Sequence, residues 1–412
     1  MSEVFSNHNY VSYFTKNLFC FTLFRILNIK KCFNVTDAGI EFLCIENQGS
    51  AQCKSSLQVL QIQYCYKVTK KGIHLALENF PALKYLEHEF TFEVLVELAD
   101  MSQMTMVDKK LAYVSNFYDR NLEHMPEIGQ LQLSILRAPY TCTTNFVHGE
   151  RRLYKNRSLW SIIFLCPSIV KLELNLDKGF MDTELLCLIS LKMLREFIIN
   201  RRKGDEIDIT FDGGVAPVLK VIGRSLENLN LSCFDVTNLW IVVNFCPNLI
   251  SLTICRYFLR SNTFNMRSHK SRLRSVCKTE YFENSVLSDL ENLKLDCGNN
   301  ISSDILLFLL SSPTLIKIDI RNCDTLTDDI FLVAFKLHEF QSLNMLHLRS
   351  CSLVTYQVVD VLMIDGNPVF SISTVACQNI TKADVANWKK KFHHKNWKID
   401  WFFRSTVYST DE

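Results

Sequence analysis

The sequence predicts an α/β fold, a right-handed solenoid with short parallel strands forming a curved sheet inside and helices outside. Three observations predict it. The spacing L-x-x-L-x-L recurs along the 412 residues, and neighbouring copies start 23 to 28 residues apart, as at 57 to 83, 226 to 249, 290 to 315 and 315 to 343. A second phrase, Cys-x-x-(Val/Leu/Ile)-Thr, occurs six times, beginning at Cys32, Cys65, Cys233, Cys323, Cys351 and Cys377. At average residue usage that phrase follows a given cysteine about once in fifty to a hundred cases, so six among 16 cysteines is a repeat and not chance.

Each unit then reads in order. The L-x-L segment is a strand whose alternate side chains enter the core. Leu57/Leu60/Ile62, Leu226/Leu229/Leu231, Leu315/Ile318/Ile320 and Leu343/Leu346/Leu348 are copies that precede a cysteine phrase. Copies without it are Ile169/Leu172/Leu174, Leu194/Phe197/Ile199, Leu249/Leu252/Ile254 and Leu290/Leu293/Leu295. After the strand, a small and weakly polar Cys is buried in the turn. The aliphatic residue three positions on joins the same core, and the following Thr caps a helix with its hydroxyl. Helical apolar spacing follows, with Ile40 and Leu43 after Thr36, or Ile330, Val333, Ala334 and Leu337 after Thr327. In two units the return carries Cys166-Pro167-Ser168 or Cys246-Pro247-Asn248, where Pro ends the helix.

These residues resemble the cysteine-containing class of leucine-rich repeats, with a consensus near L-x-x-L-x-L-x-x-C-x-x-(I/L)-T-D-x-G-(I/L). "FRILNIKKCFNVTDAGI" at 24–40 matches nearly throughout, and "LQVLQIQYCYKVTKKGI" at 57–73 matches with Lys70 in the Asp slot. The class is most similar to the repeat region of F-box/leucine-rich-repeat proteins. That resemblance implies a protein that recognises ligase substrates on the concave face of its repeats, with an F-box docking a cullin-linked adaptor. The stretch "NYVSYFTKNLFCFTL" carries no L-P-x-E-like phrase, so an F-box is not evident; the expectation is one lost or missing from the gene model. Three segments follow: 1–23 as an N-terminal cap or truncated piece, 24–380 as the solenoid, and 381–412 as a C-terminal cap. Units are degenerate at about 90–168, with starts at Leu111 and at Leu131 or Leu133, and again at about 256–289. Thr381 and Asp384 form a capping-box variant at the head of the terminal helix, and Trp388, Phe392, Trp397, Trp401 and Phe402 are expected to cover the last repeat.

Composition narrows function. Apolar residues make up 48% and charged residues 21%, and the net charge is +2, so no global field selects nucleic acid or an anionic membrane. No CxxC pair occurs, and the cysteines are read as buried free thiols in a reducing, intracellular compartment, cytoplasmic or nuclear. Residues 18–27 are too short a run to span a bilayer. N-x-(S/T) sequons begin at Asn34, Asn156, Asn230, Asn300 and Asn379; two fall inside the cysteine phrase and have a structural origin. No phosphate-loop, dinucleotide, nucleophile-elbow or HExxH motif is present, so neither enzyme, cofactor nor metal site is expected. Residues 142–158 and 256–274 are rich in Arg and Lys and read as solvated loops, with RNA or small-molecule binding as the alternative. The expected function is a protein-interaction scaffold, the substrate-recognition subunit of a cullin-type ubiquitin ligase or a fragment of one. The alternative is a ligase-independent scaffold in signalling or cytoskeletal assembly.

The side chains alternating with the core leucines face the hollow. They include Gln61, Gln63, Lys171, Glu173, Asn228 and Asn230. The charged end of the array adds Lys294, Asp296, Lys317, Asp319, Arg321, His347 and Arg349, which form the expected partner-binding patch.

Overall fold

A computed structural model describes residues 25–44, 51–99, 130–138, 158–176, 180–201, 209–234, 236, 238–255, 287–296, 301–364, 366–391 and 398–402. The chain divides into two units, Met1–Glu196 with Asp205–Ile209 and Phe197–Gly204 with Thr210–Glu412. The segments 1–23, 142–157 and 256–274, the start at Leu111, and Phe392 and Trp397 lie outside the described residues.

In the first unit, strands β1 (Ile26–Asn28), β2 (Val59–Gln61) and β3 (Tyr85–Glu87) form a parallel sheet with Leu27, Leu60 and Leu86 side by side. β4 (Ile135–Ala138) pairs in parallel with β5 (Lys171–Leu176). The amides of Ser134 and Ile135 donate to Lys84 O, so β4 follows β3 with the same bonding pattern. The degenerate unit starts at Leu133: Leu133, Leu136 and Ala138 are the buried triad, and Leu131 is not part of it.

The second unit holds β6 (Glu196–Arg201, from Phe197 onward), β7 (Asn228–Ser232), β8 (Ser251–Cys255), β9 (Asn292–Asp296), β10 (Lys317–Arg321), β11 (Met345–Arg349), β12 (Ser371–Val375) and β13 (Lys398–Phe402). They are hydrogen-bonded in sequence order, and every registered pair from β7 to β13 is parallel and unshifted. Parallel neighbours require a crossover, supplied here by helices such as Trp240–Phe245, Ser303–Leu310 and Asp328–His338. Such crossovers close right-handed. The expected α/β solenoid is therefore what the chain forms. Each strand gives its alternate residues to the core: Phe197/Ile199, Leu229/Leu231, Leu252/Ile254, Leu293/Leu295, Ile318/Ile320 and Leu346/Leu348 are all buried. Each such side chain contributes about 1.5–3 kcal/mol.

The cysteine turn has a defined geometry. In five of the six phrases the residue before Cys takes a left-handed conformation: Lys31, Tyr64, Asn322, Ser350 and Ala376 have φ between 51° and 65°. The turn aims the Cys inward. Its thiol then meets a carbonyl of the preceding repeat, three residues before that repeat's own Cys. Thus Cys65 Sγ bonds Ile29 O at 3.2 Å, Cys351 Sγ bonds Ile320 O at 3.7 Å, and Cys377 Sγ bonds Leu348 O at 3.7 Å. The eleven described cysteines are free thiols. Burial pushes the Cys65 thiol up to about 11 and those of Cys166 and Cys246 up to about 12, which keeps them neutral.

The phrase at Cys233 is out of register. Here Cys233 itself is left-handed (φ 63°), and its amide donates to Cys255 O as Asn322 N does to Arg349 O and Ser350 N to Val375 O. Cys233 is only two residues beyond Leu231, not three, so the buried slot passes to Phe234.

The Thr caps form as expected: Thr69 accepts from Lys71 N, Thr327 from Ile330 N and Thr381 from Asp384 N. Asp384 returns the bond to Thr381 N at 2.7 Å, completing the capping box. The Asp after Thr has a longer reach. Asp37 accepts from Thr69 N (2.8 Å), Thr69 Oγ1 (2.6 Å) and Gly72 N (3.1 Å), and Asp328 accepts from Thr355 N (2.9 Å) and Thr355 Oγ1 (2.5 Å). Each clamps the cap of the next repeat. Lys382–Lys391 and Lys398–Phe402 add one more helix and strand to the array, and Trp388 is buried with its indole N–H on Asp360 Oδ1 at 2.7 Å.

One expected helix face is turned. Along Asp328–His338, Phe331 and Ala334 are buried, whereas Val333 and Leu337 are 44% and 63% exposed. The clamp at Asp328 and the contact of the tilted Phe331 and Phe340 rings, 5.0 Å apart, fix this rotation.

The returns also stack closely. The helices Ser158–Leu165 and Trp240–Phe245 stop immediately before Cys166-Pro167 and Cys246-Pro247. A Cβ on Gly223 would press on the Phe245 carbonyl and lie 2.8 Å from Cys246 Sγ. Gly223→Ala is therefore expected to destabilise by about 1–3 kcal/mol, read as a lower urea midpoint; an unchanged midpoint would show that the return relaxes freely.

Candidate functional site

The open face of each sheet carries the residues that alternate with the core. In the first unit its charges neutralise one another. Glu87, nearly covered, accepts from Gln61 Nε2 at 3.0 Å and pairs with Lys30 at 2.7 Å; Arg137 pairs with Glu173 at 2.7 Å, and Lys171 pairs with Glu196 at 2.6 Å. Each cation is matched by a carboxylate on its own or a neighbouring repeat.

The second unit differs at β9, β10 and β11. Register places Lys294, Asp319 and His347 in one row across the three strands, and Asp296, Arg321 and Arg349 in the next. Lys317 stands beside Asn292 and Met345 in the first row. All seven expected residues therefore share one face, but they are not equivalent. Asp296 and Asp319 are only 3% and 5% exposed. Arg321 lies over Asp319 with two bonds of 2.8 Å, and Asn322 donates to Asp296 Oδ1 at 2.7 Å. That bidentate bond raises the Arg321 guanidinium above its ordinary value. The two carboxylates are thus the floor of the patch and not its reading surface. Among the described residues, Lys294, Lys317 and Arg349 have no carboxylate partner, and Arg349 is exposed. His347, half-buried, stands between Asp319 and Ser373 in the middle row.

Two residues of this face were not anticipated. Asn322 holds Asp296 because its left-handed turn carries the amide back over β9, and its sequence signal is an Asn directly after an L-x-L strand. Cys255 ends β8 beside Asp296 in the outer row, half-buried, with burial raising its thiol above the ordinary value. It lacks the cysteine phrase, which is why spacing did not reveal it. Among the described residues no group of His, Cys, Asp and Glu could hold a metal ion. None of the described helices is long and apolar enough to cross a membrane.

A third departure lies in the first unit. His88 follows Glu87 as Ile62 follows Gln61, so it occupies an inward slot, and Thr91 stands where Cys65 stands in the preceding repeat. His88 is buried and accepts from Phe90 N at 3.3 Å. Burial lowers its pKa below 6.5, partly offset by the Cys65 backbone carbonyl and by Asp37. The sign follows: the unfolded state binds the proton more readily, so this group's contribution is full above about pH 6.5 and is lost as pH falls through the depressed folded value. His88→Leu is expected to shrink the loss of stability between pH 8 and pH 5, seen in paired urea titrations. An unchanged pH dependence would contradict it.

Comparison with protein-family models and with curated proteins finds no match. Among solved structures, the crystal structure of the Rad7 and Elc1 complex in yeast is similar at a TM-score of 0.48 and 16% identity. The likeness covers 91% of this chain and 84% of that one.

Proposed function

We propose that the chain is a protein-recognition scaffold whose β9–β11 face selects a protein ligand, acting as the substrate-recognition subunit of a cullin-type ubiquitin ligase. The observation that carries the recognition part is the contrast on the open sheet face. Among the described residues, Lys294, Lys317 and Arg349 stand in register without carboxylate partners, above two carboxylates already satisfied by Arg321 and Asn322. Stacked repeats make such a face rigid, because each of these strands is bonded on both sides and the helix cap at Thr355 is held by Asp328 of the preceding repeat. Side chains on a rigid sheet lose little further freedom on binding, which favours selective recognition. The ligase part is supported by the resemblance of the repeats at 24–40 and 57–73 to those of F-box/leucine-rich-repeat proteins. No catalytic role is proposed.

The test is co-purification of the tagged full-length chain with a cullin-linked adaptor and its cullin. Stoichiometric recovery of both supports the ligase role. Protein ligands recovered on the β9–β11 face with no adaptor would reject it in favour of a ligase-independent scaffold.

A further inference from the structure

We propose that the β9–β11 face takes an extended acidic segment of its partner, with carboxylates paired to Lys294, Lys317 and Arg349; this rests on the reading of the chain as a protein-recognition scaffold. The charge balance decides the sign. In the first unit Lys30, Arg137 and Lys171 are each closed by a carboxylate within 2.7 Å, so that face offers little net field. At β9–β11 the carboxylates are sequestered: Asp319 lies beneath Arg321 and Asp296 beneath Asn322. What points outward is cationic and, among the described residues, lacks the carboxylate partner that Lys30, Arg137 and Lys171 have.

The spacing fits an extended strand. With adjacent strands about 4.8 Å apart and about 3.3 Å per residue, register puts Lys294 about 8 Å from Lys317, and Lys317 about 14 Å from Arg349 at the backbone. An extended peptide places side chains i and i+2 about 7 Å apart and i and i+4 about 13 Å apart on one face. Carboxylates at i and i+4 therefore match Lys317 and Arg349, while Lys294, about 12 Å from Arg349 and about 7 Å to one side of that line, is met by the carboxylate at i+2 through the length of the two side chains. The same floor disfavours a nucleic acid: Asp296 and Asp319 sit below the cations, and apart from the half-buried His347 neither the patch residues nor their strand neighbours Thr253, Asn292 and Ser373 supply a ring for stacking a base.

The full-length chain is titrated, by fluorescence anisotropy, into a labelled peptide of alternating Glu and Ser and into a single-stranded oligonucleotide of equal charge. The variant Lys294→Gln/Lys317→Gln/Arg349→Gln is compared with the charge-matched control Lys220→Gln/Lys336→Gln/Lys389→Gln, whose residues are exposed on helices. Circular dichroism and melting verify that both variants fold. The face variant is expected to lose about tenfold in peptide affinity and the control less than about twofold, with the wild-type affinity falling as salt rises. Peptide binding that is absent or unmoved by the face variant, or oligonucleotide binding as tight as the peptide's, overturns the proposal. Selection from a random peptide library separates this failure from that of the scaffold reading. Neutral or apolar peptides whose binding is lost in the face variant would sink only the acidic assignment, whereas selected peptides indifferent to that variant would sink both.

Discussion

Phe234→Ala is expected to cost about 3–5 kcal/mol, while Cys233→Ala, one residue earlier, changes stability by less than about 0.5 kcal/mol. A reading based on the repeated phrase alone would reverse the two, because Cys233 is followed by Val236 and Thr237 like the other five cysteines. The strand phase decides otherwise. Leu229 and Leu231 align through β8 and β9 with Ile318 and Ile320, so the buried slot three residues beyond Leu231 is Phe234. Cys233 stands instead where Asn322 does, with φ of 63° and its amide on the neighbouring strand. Removing the ring leaves a cavity between repeats, and removing the half-exposed thiol leaves none. Urea midpoints of the two variants are the measurement; equal losses, or a greater loss for Cys233→Ala, would restore the phrase to the common register.

Asp328→Ala carries the second large effect, about 2–3 kcal/mol. Its carboxylate accepts from both the amide and the hydroxyl of Thr355, 27 residues on, so its loss leaves a donor of the next helix cap without a charged acceptor. Asp329→Ala, at the adjacent exposed position, is the control and is expected to be near neutral. Hydrogen exchange localises the effect: amides of Gln357–Asp360 lose protection in the first variant and keep it in the second. Equal protection in both would mean that the cap holds without its neighbour.

These two residues show what sequence can and cannot disclose. The leucine spacing, the Cys turn and the Thr cap are local, each set within about ten residues, and the structure places them as read. The phase of a five-residue phrase against its strand is not contained in the phrase, so Cys233 matched the pattern and missed the slot. Asp37 and Asp328 read as ordinary first-turn acids, because the repeat they hold begins beyond the helix they start. Val333 and Leu337 have helical apolar spacing, as do Phe331, Ala334 and Phe335, and only contact with the neighbouring repeat selects the second set. The recognition patch follows the same division. Alternation along each strand was enough to name all seven of its residues. Which charges remain open depends on Arg321 and Asn322 folding over Asp319 and Asp296, a relation between side chains that one repeat's spacing does not carry.

The account stands on in-register stacking, and one distance tests it. Asn230 and Ser373 occupy the same row on β7 and β12, five strand steps apart through Thr253, Lys294, Asp319 and His347. Spin labels at these two positions, measured by double electron–electron resonance, are expected to give one narrow distribution near about 24 Å plus the reach of the labels. A broad distribution, or one centred beyond about 40 Å, would contradict the stacked sheet and the face built on it.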